Sequence, residues 1–323
     1  MKCLVTGGAG FIGSHLCEAL VARGDDVVAI DNFDPFYSRD IKTMNLAGLV
    51  DDPRFELIEA DVRDQPVAES ILGGNRWDVV VHLAARAGVR ASMIDPRGHI
   101  DNNVGGTATL LEAMRRTGCE RLVFASSSSV YGDSERLPFR ERDPVLTPCS
   151  PYALTKKAGE DLCQIYHQAY GLTVINLRFF SVYGPRQRPD MAIHAFTRRL
   201  LEGQAIPVFG DGSAKRDYTY VGDVVAGVLR AIDHVTRHAG FELVNLGAGE
   251  PTSLSELIQR LADATGNEAT VELLPPPPGE VRGTWADIRR AEQLLGFQPE
   301  TDLATGLAAF VEWYQHNILM LSR

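Results

Sequence analysis

The sequence predicts an α/β protein built on a doubly wound parallel sheet, followed by a smaller mixed α/β domain. Three observations favour this fold class. Short apolar runs alternate with longer helical patterns up to residue 180, a glycine-rich turn follows the first run, and the alternation loosens beyond residue 180. With 323 residues, 45% of them hydrophobic, the chain is long enough to bury one large core or two.

Each predicted strand in the first part is a short apolar run, and each predicted helix has apolar residues at helical spacing. The predicted strands are residues 2–6, 27–31, 55–59, 78–83, 121–125 and 173–179. The predicted helices are residues 11–23, 64–72, 97–117 and 151–170. Parallel strands need a crossover between them, and a helix after most strands supplies it.

The second part is predicted to contain shorter elements in a less regular order. Its strands are residues 206–209, 218–221 and 242–246, and its helices are residues 192–202, 223–235, 253–265, 286–295 and 303–317. We therefore predict one domain at residues 1–180 and a second at residues 181–323. The segment 217–248 is expected to return to the first domain.

Composition excludes several classes of function. The net charge of −10 argues against nucleic-acid binding and against binding to an anionic membrane, although local arginines can still make a pocket for an anionic substrate. No apolar run approaches the ~18 residues of a membrane-spanning helix. The five cysteines form no CxxC pair, so we expect reduced thiols in a cytoplasmic protein, without a disulfide framework or a metal site.

The turn after the first strand carries the strongest local signal. Gly7, Gly10 and Gly13 have GxxGxxG spacing, which permits a tight turn, a close approach of backbone to a pyrophosphate, and close packing of helix on strand. The N-terminus of the helix, at Phe11 and Ile12, adds free N–H groups and the positive end of the helix dipole. The loop therefore predicts a Rossmann-type dinucleotide site in the first domain.

Side chains at the ends of later strands extend the predicted cofactor site. Asp31 ends the second strand, where a carboxylate accepts hydrogen bonds from both ribose hydroxyls and repels a 2′-phosphate, so NAD is favoured over NADP. A solvated aspartate at the end of a strand is the alternative. The other candidates after the second, third and fourth strands are Asn32, Asp61, Val62, Leu83, Ala84 and Ala85.

Tyr152 and Lys156 lie four positions apart, so they share one face of the predicted helix 151–170. An ammonium group there can hold the phenol partly ionised, which makes the tyrosine a base. A free tyrosine has a pKa of ~10, so work near neutrality requires a lower value. The pair alone is equally compatible with a contact on the protein surface. The upstream serine run 126–129 is likewise compatible with an ordinary transition from a strand to a loop.

The glycine loop, Asn102, the serine run and the Tyr152–Lys156 pair together resemble the nucleotide-sugar branch of the extended short-chain dehydrogenase/reductase family. The resemblance covers essentially the whole chain. It implies that Ser127, Tyr152 and Lys156 are catalytic, and that Asn102, Tyr152 and Lys156 also contact NAD. It further implies a homodimer in which the two long helices of the first domain pair across a two-fold axis.

More specific segments are similar to the UDP-glucuronic acid 4-epimerases. They are DNFDPFY (31–37), AGVR (87–90), RFFSVYGP (178–185) and RPDM (188–191). In that family the arginine corresponding to Arg188 faces the sugar carboxylate. The chain departs from the family at Arg86, where a glutamine is more usual, and at Arg186 and Gln187, where an aromatic residue and a glycine are more usual. These departures leave the fine substrate preference open.

The resemblance also implies the remaining substrate contacts. Ser181 and Arg188 would hold the sugar carboxylate, assisted by Ser128 and Ser129, because arginine suits a two-point grip on a carboxylate. A solvated loop arginine is the alternative for Arg188.

The other candidates for substrate contacts are Arg90, Met191, Val208, Arg216, Arg282 and Asp287. Arg216 and Arg282 are candidates for the UDP phosphates; the proline run 275–278, predicted to be stiff and extended, could present Arg282 or be merely structural.

The implied reaction is the NAD-dependent, reversible inversion of C4 in UDP-glucuronic acid to give UDP-galacturonic acid, through a 4-keto sugar. Related decarboxylases and 4,6-dehydratases carry an acidic residue just before the Val-Tyr-Gly of the serine loop, where this chain has Ser129. Its absence argues against their elimination chemistry. The alternatives are a 4-epimerase of neutral nucleotide sugars such as UDP-glucose, a UDP-glucuronate decarboxylase, and a non-catalytic NAD-binding protein.

Overall fold

The computed structural model describes residues 1–145, 147–275 and 283–321. Its strands, in chain order, are β1 (Lys2–Thr6), β2 (Asp26–Asp31), β3 (Phe55–Glu59), β4 (Val79–His82), β5 (Arg121–Ser127), β6 (Thr173–Phe179), β7 (Ser181–Tyr183), β8 (Ile206–Phe209), β9 (Lys215–Tyr220), β10 (Phe241–Leu246), β11 (Pro251–Ser253) and β12 (Val271–Leu274). Seven of them form one parallel sheet in the order β10-β6-β5-β4-β1-β2-β3. The predicted doubly wound parallel fold is therefore confirmed, and the strand order reverses between β1 and β4, where such sheets form a ligand crevice.

Helices cover both faces of this sheet. In chain order the α-helices are α1 (Phe11–Arg23), α2 (Arg39–Asn45), α3 (Gln65–Gly73), α4 (Val89–Ile94), α5 (Pro96–His99), α6 (Gly106–Thr117), α7 (Pro151–Tyr170), α8 (Ala192–Leu201), α9 (Val221–Arg237), α10 (Leu254–Thr265), α11 (Arg289–Leu295) and α12 (Leu303–Leu321). Helices α1 and α9 bury Leu16 and Val228 against one face. Helices α3, α6 and α7 bury Leu72, Leu111 and Cys163 against the other. The strands are apolar on both sides because both faces are covered.

A separate apolar core lies in the smaller part of the molecule. Helices α8, α10 and α12 meet there around Phe196, Leu261 and Phe310. Two small sheets, β11-β9-β7 and β12-β8, flank this core. Strand β10 lies at the edge of the large sheet beside β6, and α9 packs on the same sheet. The division of the chain into two domains stays a prediction.

Two predicted helices differ from the structure. The helix predicted at 97–117 is divided into α5, a π-helical segment (Ile100–Gly105) and α6; such segments widen one turn and often occur at functional sites. The helix predicted at 286–295 begins only at Arg289. Ala286 instead forms a β-bridge with Phe139, and the Asp287 N–H donates to the carbonyl oxygen of Phe139 at 2.9 Å.

In the described part of the chain, five short α-helices and strands were not predicted, namely α2, α4, β7, β11 and β12, and neither was the 3₁₀ helix Ser128–Tyr131. Each has seven residues or fewer, which is too short for a clear apolar period. Residues 276–278 of the predicted extended run 275–278, and Arg282, lie outside the described residues. All five cysteines are free thiols, and four of them are buried. Within the described ranges, no helix combines the length and the apolar character that a membrane crossing needs.

Candidate active site

A cleft of about 1090 Å³, counting the space open to solvent, lies at the carboxyl ends of the central strands. It brings together most of the predicted cofactor residues, namely Gly7, Gly10, Phe11, Ile12, Gly13, Asp31, Asn32, Val62, Leu83, Ala84, Ala85, Asn102, Tyr152 and Lys156. Arg188, predicted to contact substrate, also lines it. Asp61 lies beyond this lining, where its carboxylate accepts hydrogen bonds from Asn32 at 3.0 Å and from Arg63.

The glycines at the start of α1 shape one end of the cleft. Gly7 has a φ of 73°, and a Cβ atom there would lie 2.8 Å from the Ala84 nitrogen. A Cβ atom at Gly13 would lie 2.1 Å from the Gly7 carbonyl oxygen. Gly10 precedes the helix, and no side chain caps its first N–H groups. The helix N-terminus is therefore open to an anion, and the residues present fit a dinucleotide pyrophosphate.

Asp31 is held firmly at the next strand end. Its carboxylate accepts hydrogen bonds from the Ala9 N–H at 3.2 Å, the Phe33 N–H at 2.8 Å and the Lys42 ammonium group at 3.0 Å. A carboxylate has about four acceptor positions, so one remains for a ribose hydroxyl. Lys42 also lines the cleft, and sequence reasoning missed it because α2 was not predicted. The available signal was Ser38, whose side chain caps α2 by accepting from the N–H of the second helical residue.

Helix α7 packs unusually close to β5, which fixes the position of Lys156. A Cβ atom on Gly159 would lie 2.4 Å from the Phe124 ring, so only glycine allows this approach. The Lys156 ammonium group then donates to the Ala125 carbonyl oxygen at 2.7 Å. The close contact of helix and strand places the lysine in the floor of the cleft.

A buried ion pair also stabilises the contact between α7 and β5. Glu160 accepts two hydrogen bonds from Arg178, each of 2.8 Å, and one from the Ser126 hydroxyl at 2.6 Å. Only 3% of the Glu160 side chain and 2% of the Arg178 side chain are exposed. The Arg178 guanidinium lies 4.7 Å from the centre of the Tyr131 ring. These bonds join the end of β5 to the helix that carries the tyrosine and the lysine.

Ser127 lies directly beside Tyr152. The Ser127 hydroxyl donates to the Ser129 hydroxyl and accepts from the Ser129 N–H, both at 3.1 Å, and it lies close enough to Tyr152 to lower the pKa of that phenol. Burial raises the pKa of Tyr152 above its ordinary value, and the hydrogen bond to Ser127 and the charge of Arg188 offset only part of this. The decrease in the pKa of Tyr152 that a base near neutrality requires is therefore not supplied by the groups of the protein alone. A cationic group bound in the cleft has to supply the remaining decrease.

The pKa of Lys156 leads to a pH prediction. Burial lowers this pKa to about 8, with the charge of Glu160 opposing the decrease. Because the ammonium form is the one that stabilises a tyrosinate, kcat should fall as the pH rises through about 8. A kcat profile measured between about pH 6 and pH 10 checks this. In a Lys156→Arg variant the residual activity should lack this alkaline decrease, and a wild-type rate that stays level to about pH 10 would contradict the assignment.

Arg188 is held by a neighbouring carboxylate and an aromatic ring. Its Nε and Nη2 atoms donate to the two carboxylate oxygens of Asp190, both at 2.9 Å. Its guanidinium lies 5.6 Å from the centre of the Phe36 ring, and 18% of the side chain is exposed. Asp190 occupies the Nε edge of the guanidinium, so the carboxylate of a ligand would meet the Nη edge.

The residues that depart from the resembled family anchor the loop that carries Arg188. Arg186 forms an ion pair with Glu18 at 2.6 Å, and His15 hydrogen-bonds the Pro185 carbonyl oxygen at 2.9 Å. Both partners belong to α1, the helix that begins at the glycine loop. The buried amide of Gln187 donates to the Val182 carbonyl oxygen at 3.1 Å. The loop therefore has a fixed position relative to the dinucleotide site.

The structure does not bring the other predicted substrate residues into the lining of this cleft. They are Arg90, on α4 with its guanidinium 4.5 Å from the Phe209 ring centre; Ser127, at the end of β5; Ser128 and Ser129, directly after β5; Ser181, at the start of β7; Met191, before α8; Val208, buried in β8; Arg216, in β9; and Asp287, paired with Arg289 and Arg140. Their roles stay predictions, as does that of Arg282 outside the described residues.

Comparison with known proteins gives a consistent result. Residues 3–247 match the NAD dependent epimerase/dehydratase family. The chain is 40% identical over 319 residues to a UDP-glucuronate 4-epimerase of Thermodesulfobacterium geofontis, which covers 98% of this chain and 97% of the relative.

Two solved structures show the similarity in three dimensions. The UDP-glucuronic acid 4-epimerase of Bacillus cereus, in complex with UDP-glucuronic acid and NAD, matches with a TM-score of 0.92 and 39% identity over 98% of this chain and 99% of that one. A UDP-glucose 4-epimerase of Thermotoga maritima with UDP-glucose matches with a TM-score of 0.90 and 33% identity, over 98% of this chain and 100% of that one. The fold alone therefore does not separate acidic from neutral sugars.

Proposed function

We propose, since the chain belongs to the NAD dependent epimerase/dehydratase family, that it interconverts UDP-glucuronic acid and UDP-galacturonic acid by inverting C4. The observation that carries this proposal is the position of Arg188. It lines the same cleft as the Tyr152–Lys156 pair and influences the pKa of Tyr152. A half-buried guanidinium beside the reacting group suits a sugar that bears a carboxylate close to C4.

Tyr152 removes the proton from the C4 hydroxyl and later returns one. Ser127 lies beside Tyr152 and holds the same sugar oxygen, so the proton moves along one short path. Lys156 supplies positive charge to the tyrosinate and is held in place by the Ala125 carbonyl oxygen. A bound NAD would supply an acceptor and donor of hydride for C4, together with the positive charge of its oxidised nicotinamide ring. The 4-keto sugar turns over between the two halves, held by its UDP group.

The carboxylate creates a chemical hazard that the site has to control. Oxidation at C4 makes a β-keto acid, which loses CO2 when the breaking C–C bond aligns with the ketone π system. Arg188 and Ser181, with Ser128 and Ser129, hold the carboxylate charge localised and out of this alignment. The fixed loop that carries Arg188 suits this role, because a mobile arginine would let the carboxylate rotate.

We assign residues 1–180, with the segment 217–248, to NAD binding, and residues 181–323 to the nucleotide sugar. This division is supported by the position of β10 in the large sheet and by the separate apolar core around Phe310. Asp31 holds the adenosine ribose, and the glycine loop holds the pyrophosphate. Arg216 and Arg282 contact the UDP phosphates. The free, mostly buried thiols are consistent with a cytoplasmic enzyme.

The direct test is to incubate the purified protein and NAD with UDP-glucuronic acid and to follow the sugar anomeric signals by NMR. We expect a mixture of UDP-glucuronic and UDP-galacturonic acid to form from either starting compound. The competing function is a 4-epimerase of neutral nucleotide sugars, favoured by the similarity to the Thermotoga enzyme. Good turnover of UDP-glucose without conversion of the uronic acid would reject our proposal in favour of that one.

The protein is also expected to be a homodimer that pairs through α6 and α7. Apolar side chains are exposed on and near this surface, including Ile165 (54%), Leu154 (49%) and Ile94 (85%). Light scattering should give twice the chain mass of 35.3 kDa. Ile165→Glu should shift the protein towards the monomer mass, because it buries a charge in the interface. Val271→Glu, on the distant strand β12, is the matched control and should leave the dimer intact.

A further inference from the structure

The loops after β2 and β4 leave the sheet on opposite sides of β1. Strands β4, β1 and β2 are adjacent and parallel, so their carboxyl ends meet at one edge of the sheet. The glycine turn follows β1 and lies between the two loops. Any direct contact between the outer loops therefore crosses the crevice in front of the glycine turn, where a dinucleotide pyrophosphate fits.

The structure contains such a contact, which we call the crevice bridge and define as Asp34, Arg86 and Asp95. The Arg86 Nε and Nη2 atoms lie 3.2 and 3.1 Å from one oxygen of Asp34, in the loop after β2. The Arg86 Nη1 atom donates to Asp95, beyond α4, at 2.7 Å. Asp34 and Arg86 both line the cleft, with 17% and 27% of their side chains exposed. Asp34 and Arg86 thus form a partly buried wall of the dinucleotide site, and Asp95 contacts Arg86 from the exposed side.

Hydrogen bonds of the backbone hold both Arg86 and Asp34 in position. Asn103, in the π-helical segment, hydrogen-bonds the backbone of Arg86 twice, at 2.8 and 2.9 Å, and also donates to Thr155 of α7 at 2.9 Å. On the other side, the Asp34 N–H donates to Asn32 at 2.9 Å. A Cβ atom at Gly98 would lie 2.3 Å from the Arg86 Nη1 atom, so the chain leaves room for the guanidinium. The bridge is built into the surrounding elements and is not a loose surface pair.

We propose that the crevice bridge is a latch that retains the bound dinucleotide, with Arg86 as its central residue. The inference rests on the proposed NAD-dependent function. An enzyme that takes a hydride from the sugar and returns it to the same sugar has to keep its cofactor bound through the whole cycle. If the reduced cofactor were lost, no hydride donor would remain to reduce the 4-keto sugar. A bridge across the crevice has to open before NAD can leave or enter.

A competing role for Arg86 is direct binding of a phosphate. The structure favours the latch, because carboxylates already occupy both edges of the guanidinium. The two roles also differ in their consequences. A latch slows both entry and exit of NAD, and it requires Asp34 as much as Arg86. A phosphate ligand would slow exit alone, and removing the Asp34 charge would free Arg86 to bind the phosphate more tightly.

The experiment measures release and binding of NAD itself. Protein loaded with NAD is mixed with an alcohol dehydrogenase and excess ethanol, so that each released NAD becomes fluorescent NADH. Association is followed by quenching of the protein fluorescence. Arg86→Gln should speed release by about tenfold and should also speed association. Asp34→Asn should do the same, and the double variant should be no faster than either single variant.

Arg97→Gln is the matched control. Arg97 also pairs with an aspartate, Asp101, but its side chain is 91% exposed, and neither residue lines the cleft. This variant should release NAD at the wild-type rate. Unchanged release from Arg86→Gln would overturn the latch, and slower release from Asp34→Asn would establish a phosphate contact in its place. A protein that shows the predicted release rates but does not epimerise UDP-glucuronic acid keeps the latch and rejects the proposed function.

Discussion

Replacing Tyr152 with phenylalanine is expected to lower kcat on UDP-glucuronic acid by about 10³-fold, which corresponds to about 4 kcal/mol of transition-state stabilisation. Phenylalanine keeps the ring and its packing but removes the hydroxyl that we propose exchanges a proton with the C4 oxygen. Ser127 would still position the substrate, so KM should change little. NMR of the sugar anomeric signals measures the rate, and NAD titration checks that the cofactor site is intact.

Tyr166→Phe is the control for this prediction. Tyr166 lies on the same helix but hydrogen-bonds Glu112 at 3.2 Å, away from the cleft. It should keep nearly full activity, and both variants should unfold close to the wild-type temperature. If Tyr152→Phe retained more than about a tenth of the wild-type kcat, another group would have to be the base.

Replacing Arg188 with alanine is expected to lower kcat/KM for UDP-glucuronic acid by about 10²-fold and to leave any activity on UDP-glucose within about threefold. The variant removes the two-point grip on the carboxylate and leaves Asp190 facing the substrate with like charge. It should also release more CO2 per turnover, because the carboxylate of the 4-keto intermediate can then rotate into alignment. Parallel assays of epimerised product and of evolved CO2 measure both effects.

Arg198→Ala serves as the control, since Arg198 is an exposed arginine of α8 close by in sequence. It should change neither the rate nor the CO2 release. If Arg188→Ala lowered kcat/KM equally for the acidic and the neutral sugar, Arg188 would support the fold of the loop and would not bind the carboxylate. The neutral-sugar epimerase would then be the better description.

Local sequence patterns were sufficient for the fold and the cofactor half of the cleft. The GxxGxxG turn and Asp31 are tied to strand ends, and the Tyr152–Lys156 spacing is tied to a helix period, so neighbours along the chain define them. These features predicted both the parallel sheet and the residues that line its crevice.

Contacts between distant segments could not be predicted in the same way. Lys42 meets Asp31 through a helix of seven residues, and Arg86 meets Asp34 across 52 positions of sequence. Asn103 acts from a π-helical turn, which has no sequence period that separates it from the α-helix around it. The pKa of Tyr152 depends on its burial, which the spacing of Tyr152 and Lys156 does not reveal. The sequence patterns therefore predicted the candidate reacting groups but not the residues that hold them in place.

The buried pair of Glu160 and Arg178 limits how this active site can change by mutation. Substitution of one partner alone leaves a charge inside the molecule at a cost of about 3–5 kcal/mol, a large part of the stability of an ordinary domain. A joint replacement by apolar residues avoids that charge but also removes the partner of Ser126. Substitution of either residue is thus destabilising as long as the other residue is retained. The two positions are epistatic, and libraries that randomise the wall of the active site should vary them together.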